Sequence, residues 1–329
     1  MSKGEPKKFN RGIFDKKILE RARAFFQSPL GKKILEENSG DVNPFQICLR
    51  YNYGENTNYF NIYWNGCSVL KCTLRVLTNN NYIIDNKYVH GKKGDLSLYP
   101  VPREKTQLHN LTDLITETRE DWSFYRDVIK QPERVFEEYV NRSDGKSKKE
   151  KTLLKQYLDE VEDSFLIDLE VAAPRNIIGR LIDIDMAEIV YDEKMTPVLR
   201  LVEVKPSDVD DLRARDRETL MTHPDKIMRQ MERYQEFLDK EKDNVRDSYR
   251  LVADNMLDLG LDKYMKGMAG RSATEILEDF KERGVVDPKL HLLVLYSERD
   301  KTFEERHLER LREEIEQKYA PLRYVRVKG

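Results

Sequence analysis

Apolar residues recur at helical spacing across residues 12–36, where Ile13, Ile18, Leu19, Ala22, Phe25 and Phe26 share one face and predict an amphipathic helix. The period then shortens. FQICLRYNY (45–53), YFNIYWN (59–65), SVLKCTLRV (68–76) and YIID (82–85) read as strands, and Asn65-Gly66 between two of them predicts a tight hairpin. Helical spacing returns over 110–141, carried by Leu111, Leu114, Trp122, Tyr125, Val128, Phe136 and Tyr139. A wholly polar run, 141–150, reads as a domain boundary, with a long surface loop as its alternative.

Beyond that run the elements alternate. A helix at about 148–163 leads into FLIDLEVAA (165–173), GRLIDIDMAEIVY (179–191) and PVLRLVEVK (197–205), the last two close enough for a β-hairpin. A helix at about 223–240 follows, entered through Thr222, Pro224 and Asp225. Residues 245–284 read as a helical insert with a capping box at Ser272 and Glu275. LHLLVLYS (290–297) reads as a buried strand, a capped helix starts at Thr302, and LRYVRV (322–327) is a short final strand. The order is that of an α/β domain with a mixed sheet over 146–329, preceded by a separate α+β domain over 1–145.

Length and charge narrow the picture only a little. The 329 residues suit two domains. Although 36% of them are charged, 58 Lys and Arg nearly balance 60 Asp and Glu, which excludes a histone-like blanket of positive charge but not a local basic face. Two basic stretches are candidates for tracking phosphates: Lys7, Lys8, Arg11, Lys16, Lys17, Arg21, Arg23, Lys32 and Lys33, then Lys146, Lys148, Lys149, Lys151 and Lys155. Each reads equally as a solvated face. Tyr51, Tyr53, Tyr59, Phe60, Tyr63 and Trp64 read as the core of a small sheet, with base stacking as the alternative. No run approaches the roughly 20 apolar residues of a membrane span, and no signal peptide is expected. Three cysteines without a CxxC pair support neither a disulfide scaffold nor a zinc ribbon, and His90, His109, His223, His291 and His307 lack metal-ligand spacing. No Walker A loop or dinucleotide-binding turn occurs.

The chemistry is concentrated in three strands that carry acids where apolar residues belong. Asp168 and Glu170 alternate on one strand, Asp183 and Asp185 on the next, and Glu203 and Lys205 on the third, so each pair is expected on one face. A hairpin turn centred near Lys194 sets Asp185 opposite Glu203 and Asp183 opposite Lys205. Opposed carboxylates repel, and a divalent cation with oxygen ligands, Mg²⁺ or Mn²⁺, relieves them. Bland readings exist for each: a solvated edge pair for Glu203 and Lys205, a ligand or an ordinary acid for Glu170, and for Asp168 a strand-end acid, which is the preferred one.

Asp185 on one hairpin strand and Glu203-Val204-Lys205 on the next resemble the PD-(D/E)XK nuclease superfamily. Gln230, Met231 and Tyr234 on the following helix match the Q-h-x-x-Y signature of its RecB-type exonuclease branch. The resemblance covers about residues 150–329 and none of the chain before 140. It implies a restriction-endonuclease-like core and metal-dependent hydrolysis of DNA phosphodiesters in processing, repair or defence. By the same resemblance Asp185, Glu203, the Val204 carbonyl and Glu170 hold Mg²⁺ or Mn²⁺, with Asp183 as substitute for Asp185. Lys205 positions or deprotonates water, and Gln230 and Tyr234 brace the site or touch the nucleic acid backbone. DNA in preference to RNA, a separate helicase or defence-system protein and a second copy of the chain are the implied partners, in the cytoplasm or at the nucleoid. One departure is that Gly179 precedes Asp183 by four residues and Asp185 by six, so the choice of aspartate stays open, with hairpin pairing favouring Asp185. The lack of a cysteine quartet argues against the iron–sulfur cluster of some relatives. The alternative is a catalytically inactive module of the same fold that binds nucleic acid or a partner protein.

Overall fold

The structure, a computed structural model, describes residues 8–38, 45–53, 56–64, 67–74, 81–84, 106–108, 145–174, 177–179, 182–207, 212, 227–296, 312, 315–316 and 318–327. The expected helix over 110–141, the cap at Thr222 to Asp225 and the start of the helix at Thr302 lie outside them.

Two sheets organise the chain. The N-terminal part opens with helices α1 (Lys16–Phe26) and α2 (Pro29–Glu37). The single helical pattern over 12–36 is thus split. Ser28 caps the second helix by accepting from the Gly31 N–H, and Pro29 at its first position has no N–H to continue the first. A five-stranded antiparallel sheet follows, β1 (Phe45–Asn52), β2 (Thr57–Trp64), β3 (Cys67–Thr73), β4 (Asn81–Ile84) and β5 (Thr106–Leu108), in sequential order. The β2–β3 hairpin closes with Trp64 opposite Cys67, as the Asn65-Gly66 signal requires, and a bulge lies between Ile62 and Tyr63.

Helix α3 (Gly145–Glu160) then leads to a six-stranded mixed sheet. Its strands are β6 (Phe165–Ala173), β7 (Ile182–Tyr191), β8 (Pro197–Pro206), β9 (Val285–Val286), β10 (His291–Tyr296) and β11 (Arg323–Arg326). They run in the order β11-β10-β8-β7-β6, with β9 beside β8. Pairing is antiparallel from β6 to β8 and parallel where β8 meets β9 and β10, and again between β10 and β11. The α/β reading with a mixed sheet and a separate N-terminal sheet is correct.

Between β8 and β9 stands α4 (Ile227–Asp258), one unbroken helix of 32 residues, then α5 (Ala273–Arg283) with the expected capping box at Ser272 and Glu275. The segment read as a separate insert from 245 begins inside α4. Its apolar residues, Tyr234, Phe237, Val245, Tyr249 and Val252, keep one face buried along the whole length.

Apolar layers cover both faces of the mixed sheet. On one, Ile184, Ile189, Leu199 and Leu201 pack with Met231 and Phe237 of α4. On the other, Met186, Val202 and Val204 pack with Leu153, Leu154 and Tyr157 of α3. The N-terminal segment before α1 lies along α4. Phe9 meets Phe237 edge to face, and Asn255 both accepts from the Ile13 N–H and donates to its carbonyl. At Gly12, whose φ is +57°, a Cβ would come within 2.8 Å of the Leu251 side chain, so this crossing needs glycine. Among the described residues no helix is long and apolar enough to cross a membrane.

Candidate active site

The β7–β8 hairpin sets the register on which the site depends. Asp192 accepts from the N–H groups of Lys194 and Thr196, holding the turn, and the ladder runs from Tyr191 opposite Pro197 to Met186 opposite Val202. Continued by one step, this register faces Asp185 with Glu203, as the turn position predicts. Regular pairing stops there. The Asp185 carboxylate instead takes the Val204 N–H at 2.7 Å, so a side chain replaces the next rung of the ladder. β8 lies between β7 and β10 and Glu203 is only 1% exposed, which removes the solvated-edge reading of Glu203 and Lys205.

Glu203 is held at one oxygen and left open at the other. Its Oε1 accepts from Lys205 Nζ and from Gln230 Nε2, both at 2.6 Å. Its Oε2 is buried with no hydrogen-bond partner. Gln230 and Tyr234, one turn apart on α4, are bridged at 3.1 Å, and the Tyr234 hydroxyl donates to the Asp183 carbonyl at 2.7 Å. The amide therefore aims the acid while the phenol anchors the strand that carries Asp183 and Asp185. Tyr234 also packs in the core, so its ring serves packing while its hydroxyl serves the strand.

The electrostatics follow from crowding. Burial, then the neighbouring Asp185, push the Glu203 carboxyl well above its ordinary range. Burial raises Asp185 too, against the pull of Lys205 and the Val204 N–H. Desolvation, then the charges of Glu170 and Asp185, raise Asp183. Burial works against the charge on Lys205, but Glu203 and Asp185 outweigh it and raise the ammonium's pKa. Burial and Glu203 push the Tyr234 phenol up to about 12. Two acids thus compete for the charge of one lysine.

β6 corrects the sequence reading twice. Asp168 and Glu170 were expected side by side on one face, with Asp168 an ordinary strand-end acid. Asp168 is instead 2% exposed and neutralised from the N-terminal part: Arg50 donates to its Oδ1 at 3.3 Å, and Arg11 Nε stands 3.5 Å from Oδ2, to which Tyr249 of α4 donates at 2.9 Å. Arg11, a candidate for tracking phosphates, is consequently buried and unable to do so. Glu170 goes elsewhere, accepting from the Tyr63 hydroxyl at 2.6 Å.

The backbone explains the parting. Glu170 has φ +50°, a left-handed conformation that costs a non-glycine residue roughly 1–2 kcal/mol. It falls between the pairs Leu169–Met186 and Val171–Ile184, and so opposite Asp185. At this position both strands change sides. Leu169 and Met186 join the layer under α3, whereas Val171 and Ile184, two residues away, join the layer under α4. Alternation fails at the two acids themselves.

The structure therefore joins Asp185, Glu203, Lys205, Gln230 and Tyr234 directly, through one another or the Val204 N–H and Asp183 carbonyl, and ties Glu170 to Tyr63 beside them. Tyr63 and Arg50 were not foreseen in these roles, because they lie more than a hundred residues before the acids they serve. The stacking alternative fails for Phe60 and Tyr63, both fully buried. His291 is a buried partner of Asp287.

A divalent cation fits the donor set in a limited way. Among the described residues no group of three or more His, Cys, Asp or Glu is disposed to hold a metal ion. Mg²⁺ needs less, taking one or two carboxylates and completing its shell with water. The unpartnered, buried Glu203 Oε2 beside Asp185 is the acceptor such an ion would satisfy. No protein-family model, curated protein or solved structure matches the chain.

Proposed function

We propose that the chain is a Mg²⁺- or Mn²⁺-dependent nuclease of PD-(D/E)XK type that hydrolyses phosphodiester bonds of DNA. The observation that carries this reading is the Glu203 carboxylate. Two donors fix Oε1 and leave Oε2 buried, unpartnered and next to a second acid. A buried oxygen left without a partner costs about 1–3 kcal/mol, and a cation bound between Glu203 and Asp185 would offset that cost. Supporting it is the element order, in which Asp185 and Glu203-Val204-Lys205 share a hairpin, the helix bearing Gln230 and Tyr234 follows, and a parallel strand returns beside β8.

Asp185, Glu203 and the Val204 carbonyl would hold the cation, with Glu170 beside them. When bound, it supplies charge neutralisation at the phosphate and a lowered pKa for its water. The residues divide the remaining work. Gln230 keeps Glu203 from rotating, and Tyr234 keeps β7 at the right depth through the Asp183 carbonyl. Lys205, which donates to Glu203, would position water and meet phosphate charge as a donor.

The test is a Mn²⁺ titration of the purified protein against linear and circular DNA, single- and double-stranded, with an EDTA control. Cation-dependent cleavage is expected, with a loss of roughly 100-fold or more in Glu203→Ala and Lys205→Ala at unchanged circular dichroism. Variants that cut as well as the parent sink the assignment. Nucleic acid binding that needs no Mn²⁺, without cleavage of any substrate, would identify the inactive module instead.

A further inference from the structure

The long helix α4 carries a stripe whose two halves differ in what they meet. Residues 229, 233, 237 and 241 follow one another at four-residue steps and so share one flank of the helix. The C-terminal half of the stripe is covered by the N-terminal segment: Phe9 meets the Phe237 ring edge to face, and its N–H donates to Glu241 at 2.9 Å. The other half consists of Arg229 and Arg233, both half-buried.

These two arginines are treated unlike the other two of the helix. Arg246 is paired with Asp243 and Asp247, each at 2.9 Å, and Arg250 donates to the Gly284 carbonyl at 2.8 Å. Arg229 and Arg233 have neither an acid nor a carbonyl partner among the described residues, and Arg233 Nε is buried without an acceptor. A contact ties Arg233 to the site. Its guanidinium lies 5.2 Å from the centroid of the Tyr234 ring, whose hydroxyl is bonded to Gln230 and to the Asp183 carbonyl. Arg229 directly precedes Gln230, which holds Glu203.

Charge adds an independent argument. A phosphodiester brought to Asp185 and Glu203 meets two acids, and the Lys205 ammonium is already given to Glu203 at 2.6 Å. A polyanion held there needs cations that are not already paired. Arginine suits that task, since its planar fork gives two parallel hydrogen bonds to a phosphate while its stem stays packed on an aromatic ring.

We propose that Arg229 and Arg233 are substrate-binding residues: they form the wall of the site that grips backbone phosphates of the nucleic acid beside the bond to be cut. The place of that bond rests on the nuclease reading above, whereas the phosphate contacts do not depend on cleavage. Such contacts position a strand without reading its bases, so binding is expected to be independent of sequence and steeply dependent on salt.

Fluorescence anisotropy of the full chain with labelled DNA oligonucleotides, single- and double-stranded, tests it over a series of NaCl concentrations, in EDTA and again in CaCl₂. Arg233→Gln and Arg229→Gln are each expected to weaken binding about tenfold and to reduce the slope of log affinity against log salt by about 1. The double variant should reduce it by about 2. Arg246→Gln removes the same charge from the same helix at a paired position, and is expected to stay within about twofold of the parent. Single variants within about twofold of the parent at an unchanged slope overturn the inference. So does an Arg246→Gln protein that loses as much as they do, because the effect then belongs to net charge. Should Arg233→Gln fail to fold by circular dichroism, Arg229→Gln decides by the same criteria. A parent that binds DNA in neither condition also overturns the inference, and the Mn²⁺ cleavage assay then judges the nuclease reading on its own.

Discussion

Replacing Asp168 with Asn is the sharpest test of how the two sheets are joined. Asn preserves shape and removes one negative charge from a pocket where Arg11 and Asp168 are each 2% exposed and Arg50 4%. Two buried guanidinium groups then lose their shared counter-ion. Breaking a buried ion pair from one side costs about 3–5 kcal/mol, because the remaining charge stays desolvated. The charged hydrogen bond from Tyr249 would weaken as well, about 1.5–3 kcal/mol that overlaps with the first figure since the groups act as one network. We expect a net loss of about 4 kcal/mol and a fall in Tm on the order of 10 °C by circular dichroism. Asp159→Asn, which breaks the exposed Lys155–Asp159 pair, is the control and should change stability by less than about 1 kcal/mol. Converting Arg11 and Arg50 to Met together with Asp168→Leu should recover most of the loss. An Asp168→Asn protein within about 1 kcal/mol of the parent would refute the reasoning, since the charges would then be solvated rather than buried.

Two further outcomes follow from the same geometry. Tyr234→Phe removes the donor to the Asp183 carbonyl and should cost about 1–2 kcal/mol in urea unfolding while lowering the cleavage rate, and an unaltered rate would reduce the hydroxyl to a packing detail. His291 is buried, which lowers its pKa in spite of Asp287. Its folded pKa thus lies below the ordinary value of about 6.5, so the unfolded chain takes up the proton first. Its contribution to stability is full above about pH 6.5 and is lost as pH falls below it. Thermal melts at pH 7.5 and 5.5 should show a smaller drop in His291→Gln than in the parent, and equal slopes would contradict this assignment.

Local chemistry acts over a few residues, and what depends on it was legible in the chain. The hairpin register followed from a turn near Lys194 between two apolar strands, and it brought Asp185 to Glu203 without any knowledge of the rest. The capping box at Ser272, the pairing of Trp64 with Cys67 and the buried run His291–Leu295 rest equally on short-range rules. Tertiary structure alone decided which acid does what. Strand alternation makes Asp168 and Glu170 equivalent, and only a left-handed backbone at Glu170 sends one to a pair of arginines and the other toward the site. No residue type announces that conformation, because glycine is the usual occupant and glutamate is not. Arg11 reads as one more surface cation until a chain segment 157 residues away brings Asp168 to it. The unbroken course of α4 was likewise hidden, since the polar stretch between its two halves faces solvent and interrupts the apolar pattern without interrupting the helix. Burial of charge is settled by partners distant in sequence, and spacing along the chain does not encode where those partners arrive.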